Sequence, residues 1–200
     1  MKTTIKKSML IVTTLIATLS YATSNTTSNK DGVLNNFTIS IKDAVKGQQL
    51  SIININGIIM YKEEIKKNGM YSKTFDLTSL PNGNYFFELD KGIEITTTPF
   101  TVTYNKVLFN KNEETKLYKP FVRVENNFLY VSQLSLNKNP LKIELYYNAP
   151  ENDNFELLLS ETIDNTLDIG RVYKLSKKEI GKYKIILKTE GKTFVEKITH

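Results

Sequence analysis

The side chains of this 200-residue sequence that could break a bond are carboxylates, and they are few. Three close acid pairs stand out: Glu63-Glu64, Glu113-Glu114, and Glu151 with Asp153. Two acids flanking a sugar bond are enough for glycoside hydrolysis. Each pair sits in a polar, turn-like segment, which predicts solvated surface acids. The chain has no Trp to stack on a sugar ring, and Tyr61, Tyr71, Tyr146 and Tyr147 are weaker platforms. Glu151-Asn152-Asp153-Asn154 offers oxygens suited to Ca²⁺ but lacks the spacing of a known calcium loop. There is no Cys, and the one His is His200. Nucleophilic triads need an imidazole beside the nucleophile, and zinc or haem sites need His or Cys. No glycine loop has the phosphate-cradling pattern. The expectation is a protein with no catalytic residue, no metal and no cofactor.

Cationic side chains are the other resource. The chain carries 27 basic and 21 acidic residues, net +6, and only Arg123 and Arg171 are arginines. Forked guanidinium contacts to base edges are therefore scarce, and sequence-specific nucleic-acid recognition is not expected. Residues 171–200 hold nine basic and three acidic side chains. Around Tyr183, Ile185 and Leu187, strand alternation points Lys182, Lys184 and Lys188 the other way. Such a row reads as a solvated face or a guarded sheet edge. The sharper reading is a weak, salt-dependent docking face for a polyanion such as lipopolysaccharide or DNA.

The first 24 residues read as a cleavable signal peptide. Lys2, Lys6 and Lys7 precede an apolar run over residues 9–19, and small residues at Ser20, Ala22 and Ser24 permit cleavage after Ala22 or Ser24. The run falls short of the ~20 residues of a membrane span, and no other stretch is long and apolar enough, so no transmembrane span is expected in the mature chain. Export without disulfides favours a bacterial periplasm, outer-membrane surface or extracellular setting. The partner, a protein or an envelope component, is not legible.

Beyond a polar leader over residues 25–36, the pattern is period-two alternation. Phe37, Ile39 and Ile41 alternate with Thr38 and Ser40, and Leu50 to Ile55 lead into Asn56-Gly57, a type I′ hairpin signal. Further strands are expected at residues 58–65, 74–77, 84–89 and 93–104, then around Val122, Phe128, Leu141, Leu157 and Ile185. Short strands between turn residues predict an all-β chain of two tandem immunoglobulin-like β-sandwiches, over residues 37–104 and 105–200.

The halves also echo each other. Phe37 and Leu50 stand 91 positions before Phe128 and Leu141, while Gly83-Asn84-Tyr85 stands 98 before Gly181-Lys182-Tyr183. In the Gly-x-Tyr signature, Tyr85 and Tyr183 are expected to bury their rings and return their hydroxyls to nearby backbone, as in a tyrosine corner.

The segment from Ser51 through Asn56-Gly57 to Tyr61, followed by Phe75-Asp76-Leu77 and Leu80-Pro81-Asn82-Gly83-Asn84-Tyr85-Phe86, resembles the C-terminal sorting domain of type IX secretion cargo. The likeness covers residues 50–102. It implies a secreted, non-catalytic immunoglobulin-like sandwich from a bacterium using that route. A weaker copy lies near the C-terminus, with Lys178-Glu179-Ile180-Gly181 where Leu-Pro-x-Gly would stand. The best copy is internal here, whereas the family's domain is terminal.

Overall fold

A computed structural model describes residues 37–150, 154–176 and 181–199. The expected signal peptide and leader lie outside these residues, as do Glu151, Asp153 and His200. The chain is all-β, with fifteen described strands in antiparallel pairs and two single-turn 3₁₀ helices.

In the first half, β1 (Phe37–Ala44) pairs with β4 (Gly69–Phe75) as a two-stranded sheet. The facing sheet runs β3 (Ile59–Glu64), β2 (Gln49–Asn54), β5 (Gly83–Asp90), β6 (Glu94–Thr103), β7 (Lys106–Phe109). A further strand, β8 (Thr115–Tyr118), also bonds to β6. β7 takes residues 100–103 of β6 and β8 takes residues 94–97. The gap between them falls at Thr98 and Pro99, where the proline has no N–H to give the ladder. The expected boundary at 104/105 falls inside the β6–β7 hairpin.

In the second half, β9 (Phe121–Glu125), β10 (Phe128–Leu134) and β13 (Asp168–Lys174) form one sheet in the order β13-β10-β9. The other runs β12 (Glu156–Ile163), β11 (Leu141–Asn148), β14 (Lys182–Thr189), β15 (Lys192–Thr199). The pairing β1–β4 with β3-β2-β5-β6 thus recurs as β10–β13 with β12-β11-β14-β15.

Alternation drives both cores. One cluster joins Ile39 and Phe75 of the small sheet to Leu50, Ile52, Tyr85, Phe87, Phe100 and Val102 of the large one. The other joins Leu129, Val131 and Ile169 to Leu141, Ile143, Ile185 and Leu187. Each cluster draws side chains from two sheets, so the sheets pack face to face. Burying a large apolar side chain this way contributes about 1.5–3 kcal/mol.

Three details differ from the sequence expectation. Only Gly57 of the Asn56-Gly57 pair has positive φ, +79°. The Gly57 N–H donates to the Asn54 carbonyl, and Asn54 Oδ1 accepts from the Asn56 and Ile58 N–H groups. The turn is therefore the three-residue kind with a left-handed glycine after a tight turn, not type I′. β4 starts at Gly69 rather than 74. Finally, the ladder pairs Ile52 with Phe87 and Leu145 with Ile185, so the β2 and β11 positions stand 93 apart, not 91. An even slip leaves every side chain on its original face.

Candidate functional site

The Leu80-to-Phe86 stretch is built as a corner. Asp76 Oδ1 accepts from the Thr78 N–H at 3.1 Å and from Thr78 Oγ1 at 2.6 Å, which fixes the 3₁₀ turn Leu77–Ser79 and buries Leu77. The chain then reverses through Pro81, and Asn82 Oδ1 accepts the Tyr104 N–H at 2.9 Å, tying the corner to the β6–β7 turn. The buried Tyr85 ring stacks on Phe100, centroids 5.4 Å apart, and its hydroxyl donates to the Pro81 carbonyl at 2.8 Å.

The second half closes differently. Tyr183 is buried against Tyr147, and its hydroxyl oxygen accepts the Ser176 N–H at 3.3 Å. The two glycines of the signature also differ. A methyl at Gly83 would meet only the Tyr85 ring, at 3.7 Å or more. At Gly181 it would fall 2.4 Å from Tyr147 Cε2 and 2.7 Å from the Asn148 carbonyl oxygen. Gly181 is demanded by close packing.

Lys182, Lys184 and Lys188 all point away from the core on β14, between buried Tyr183, Ile185, Leu187 and Thr189. β14 lies between β11 and β15, so guarding an edge is not their role. Lys188 Nζ sits 3.1 Å from Glu144 Oε2, and Lys142 Nζ sits 2.7 Å from Glu144 Oε1. These two hydrogen-bonded cations hold the Glu144 carboxyl below the usual carboxylate range. Lys184 Nζ lies 4.7 Å from the Tyr146 ring centre and 4.3 Å from that of Phe155, both cation–π contacts. Lys197 is its ladder neighbour on β15. Among the described residues, no ion pair is formed by Lys182, Lys184 or Lys197.

The described candidate acids Glu63, Glu64, Glu113 and Glu114 are engaged in structure. Glu63 on β3 accepts from Lys73 of β4 and from Tyr61, and these bonds hold its carboxyl below the usual range. Glu64, the next residue along the strand, turns to Lys66 at 3.3 Å. Glu114 accepts from Thr98 Oγ1 at 2.9 Å, and Glu113 from Asn110 at 3.4 Å. In the second half Glu161 on β12 accepts from Tyr173 and from Arg171 Nε on β13, the latter at 3.2 Å, and the Tyr173 bond foremost keeps its carboxyl low. Burial first, and then the Glu161 bond, raise the Tyr173 hydroxyl above its ordinary value.

The two bridges are equivalent. Glu63 and Glu161 stand 98 apart, as do Lys73 and Arg171, and each ties one sheet to the other at the same place. Sequence reasoning missed them, although the shared spacing with Tyr85 and Tyr183 was the available signal. Among the described residues, no three His, Cys, Asp or Glu side chains gather where a metal ion could be held. Nor is any described helix long and apolar enough to cross a membrane.

The Leu80-to-Phe86 stretch is thus a corner held by Tyr85, Pro81 and Asn82 that leads into the paired strand β5. Residues 33–103 match the family model of the secretion system C-terminal sorting domain. The sorting-domain match spans β1 to β6 and the whole of the corner. No curated protein matches the chain. Among solved structures, it is similar to the BSP domain of a biofilm-associated protein, at 17% identity and a TM-score of 0.27, over 82% of this chain and 27% of that one. The chain thus spans about a quarter of the length of that solved chain.

Proposed function

We propose that this chain is an exported, non-enzymatic protein that acts as an interaction module of the bacterial envelope or exterior, its first half being a sorting-type sandwich of the type IX route. The match of residues 33–103 carries this reading. The engagement of the candidate acids Glu63, Glu64, Glu113 and Glu114 with Lys, Tyr, Asn and Thr partners supports the absence of catalysis, since a general acid or base needs an open face toward substrate. The reading is tested by expressing the full chain in a bacterium with type IX secretion and in a mutant lacking its outer-membrane translocon. Arrival at the surface or in the medium only when the translocon is present is the expected result. Periplasmic retention in both strains refutes the sorting role. Intact mass of the exported protein separates two uses of the second half: a chain still ending at His200 argues for a retained module, and a truncated one for a degenerate, processed signal.

A second reading rests on the outward lysines. Lys182, Lys184 and Lys197 share one sheet face and form no ion pair among the described residues, which suits a weak polyanion contact. Failure of the processed protein to bind heparin or lipid A at low salt sinks it.

A further inference from the structure

The outer face of the β13-β10-β9 sheet carries large apolar side chains in water. Strand alternation turns Phe121, Phe128, Leu134 and Val172 outward there, and Phe121 and Val172 are 62% and 57% exposed. Tyr130 and Arg123 lie among them, the guanidinium 4.7 Å from the ring centre. Aromatic, aliphatic and arginine side chains gathered on one face are the composition of an interface.

Charge narrows the partner. Outward on the same strands stand Arg123 and Lys174 with Glu125 and Asp168, two charges of each sign. A balanced face suits a partner of the same balance, and a second copy of this chain has it.

The ladder register shows how two copies fit. Lys174, Phe128 and Glu125 form one row across the sheet, and Val172, Tyr130 and Arg123 the next. Gly170, Ser132 and Phe121 form the third row, and Asp168 and Leu134 the fourth. A half-turn about an axis across the strands, between the second and third rows, sets the first row on the fourth of the other copy and the second on the third. Val172 then enters the space above Gly170, where an added methyl meets nothing within 4 Å. Tyr130 lies over Ser132, Phe128 over Leu134, and Arg123 over the Phe121 ring. At the ends Lys174 meets Asp168, and its long side chain tolerates the rotation of about 30° between packed sheets. An axis along the strands would instead set Tyr130 on Tyr130 and Ser132 on Ser132, bulk on bulk and gap on gap, against close packing.

We propose that two copies of this chain pair through this face about a two-fold axis running across the strands, Val172 of each over Gly170 of the other and Lys174 of each beside Asp168. Three strands about 4.8 Å apart and seven residues long cover roughly 300–400 Å². That is under the ~800 Å² per partner of a stable complex, so the dimer is a weak one. It is also closed, since the same patch on both copies leaves none for a third.

The test is sedimentation of the processed full chain from about micromolar to millimolar concentration. A monomer–dimer equilibrium with no larger species is expected. Val172→Lys should weaken it about tenfold or more, with the Leu129 and Ile185 amides still slow to exchange. Lys174→Glu and Asp168→Lys should each weaken it, and the two together should restore it. These positions lie at opposite ends of β13, about 20 Å apart, so rescue acts only between molecules. A chain that stays monomeric throughout overturns the proposal, and so does a dimer indifferent to Val172→Lys or not restored by the double reversal. Rescue of Lys174→Glu by Glu125→Lys instead overturns it in favour of an axis along the strands. Should Val172→Lys fail to fold, the intact chain and the exposed charge pair still decide the matter.

Discussion

The two glycines of the repeated Gly-x-Tyr signature look equivalent in sequence but should respond oppositely to the same added methyl. In Gly181→Ala the new Cβ would overlap both Tyr147 Cε2, at 2.4 Å, and the Asn148 carbonyl oxygen, at 2.7 Å. The ring could swing aside only by leaving its packing on Tyr183, centroids 5.0 Å apart. The carbonyl belongs to the β11 ladder, where Asn148 pairs with Lys182, and cannot yield without bending that strand. Overpacking of this kind costs about 1–3 kcal/mol, and backbone contact puts it at the upper end. At Gly83 the nearest atom to the new methyl is 3.7 Å away, an ordinary contact. Lost unfolded-state freedom should leave Gly83→Ala neutral or stabilised by up to about 1 kcal/mol. Urea unfolding followed by tyrosine fluorescence gives the two differences. Hydrogen exchange localises them, with faster opening expected at Ile185 and Leu187 and not at Leu50. A Gly181→Ala loss below about 0.5 kcal/mol, or an equal loss at Gly83→Ala, would refute the packing argument.

The Glu63 and Glu161 carboxyls are both held below their ordinary value, Glu63 first by the Lys73 hydrogen bond and Glu161 first by that of Tyr173. A lowered folded value means their stabilisation is complete above the ordinary carboxylate value of about 4.3 and fades as pH falls through the folded one. Urea midpoints should therefore drop below pH 4.3, and the drop should shrink in Glu63→Gln and Glu161→Gln; an unchanged acid slope in both variants counts against the bridges. Tyr85→Phe removes the bond to the Pro81 carbonyl and should cost about 1 kcal/mol by urea unfolding, with the ring stacking kept. Phe100→Ala empties a site that is 1% exposed and stacked on both Tyr85 and Phe109, so a loss of about 3–5 kcal/mol is expected, and a loss under 1 kcal/mol would contradict the core assignment.

Much of the fold was legible because alternation is a local property. The residues Leu50 and Ile52, or Tyr183, Ile185 and Leu187, declare their buried face within a few positions, and the strands formed there. The four-residue strands β7 and β8 were not legible. Four residues show no period, and they are strands only because β6 offers an edge broken at Pro99. Asn56-Gly57 announced a turn but not its type, because the Asn54 side chain chose among several by capping two N–H groups.

For the site, residue types alone argued against nucleophilic triads and His or Cys metal centres, because the sequence has no Cys and a single imidazole, His200. The sequence also placed Lys182, Lys184 and Lys188 outward, since face follows from parity. It could not say that Lys188 would be bound to Glu144, Lys184 laid over Tyr146 and Phe155, and Lys182 left facing water, because their neighbours come from β11 and the segment before β12. The bridges of Glu63 to Lys73 and of Glu161 to Arg171 likewise join strands that meet only when two sheets close on a shared core. What the amino-acid order determined is the strand content, the buried faces and the missing chemistry. Which strands pair, and so which charges are neutralised, was decided by tertiary packing, because contacts between distant strands are selected by the fit of two whole faces.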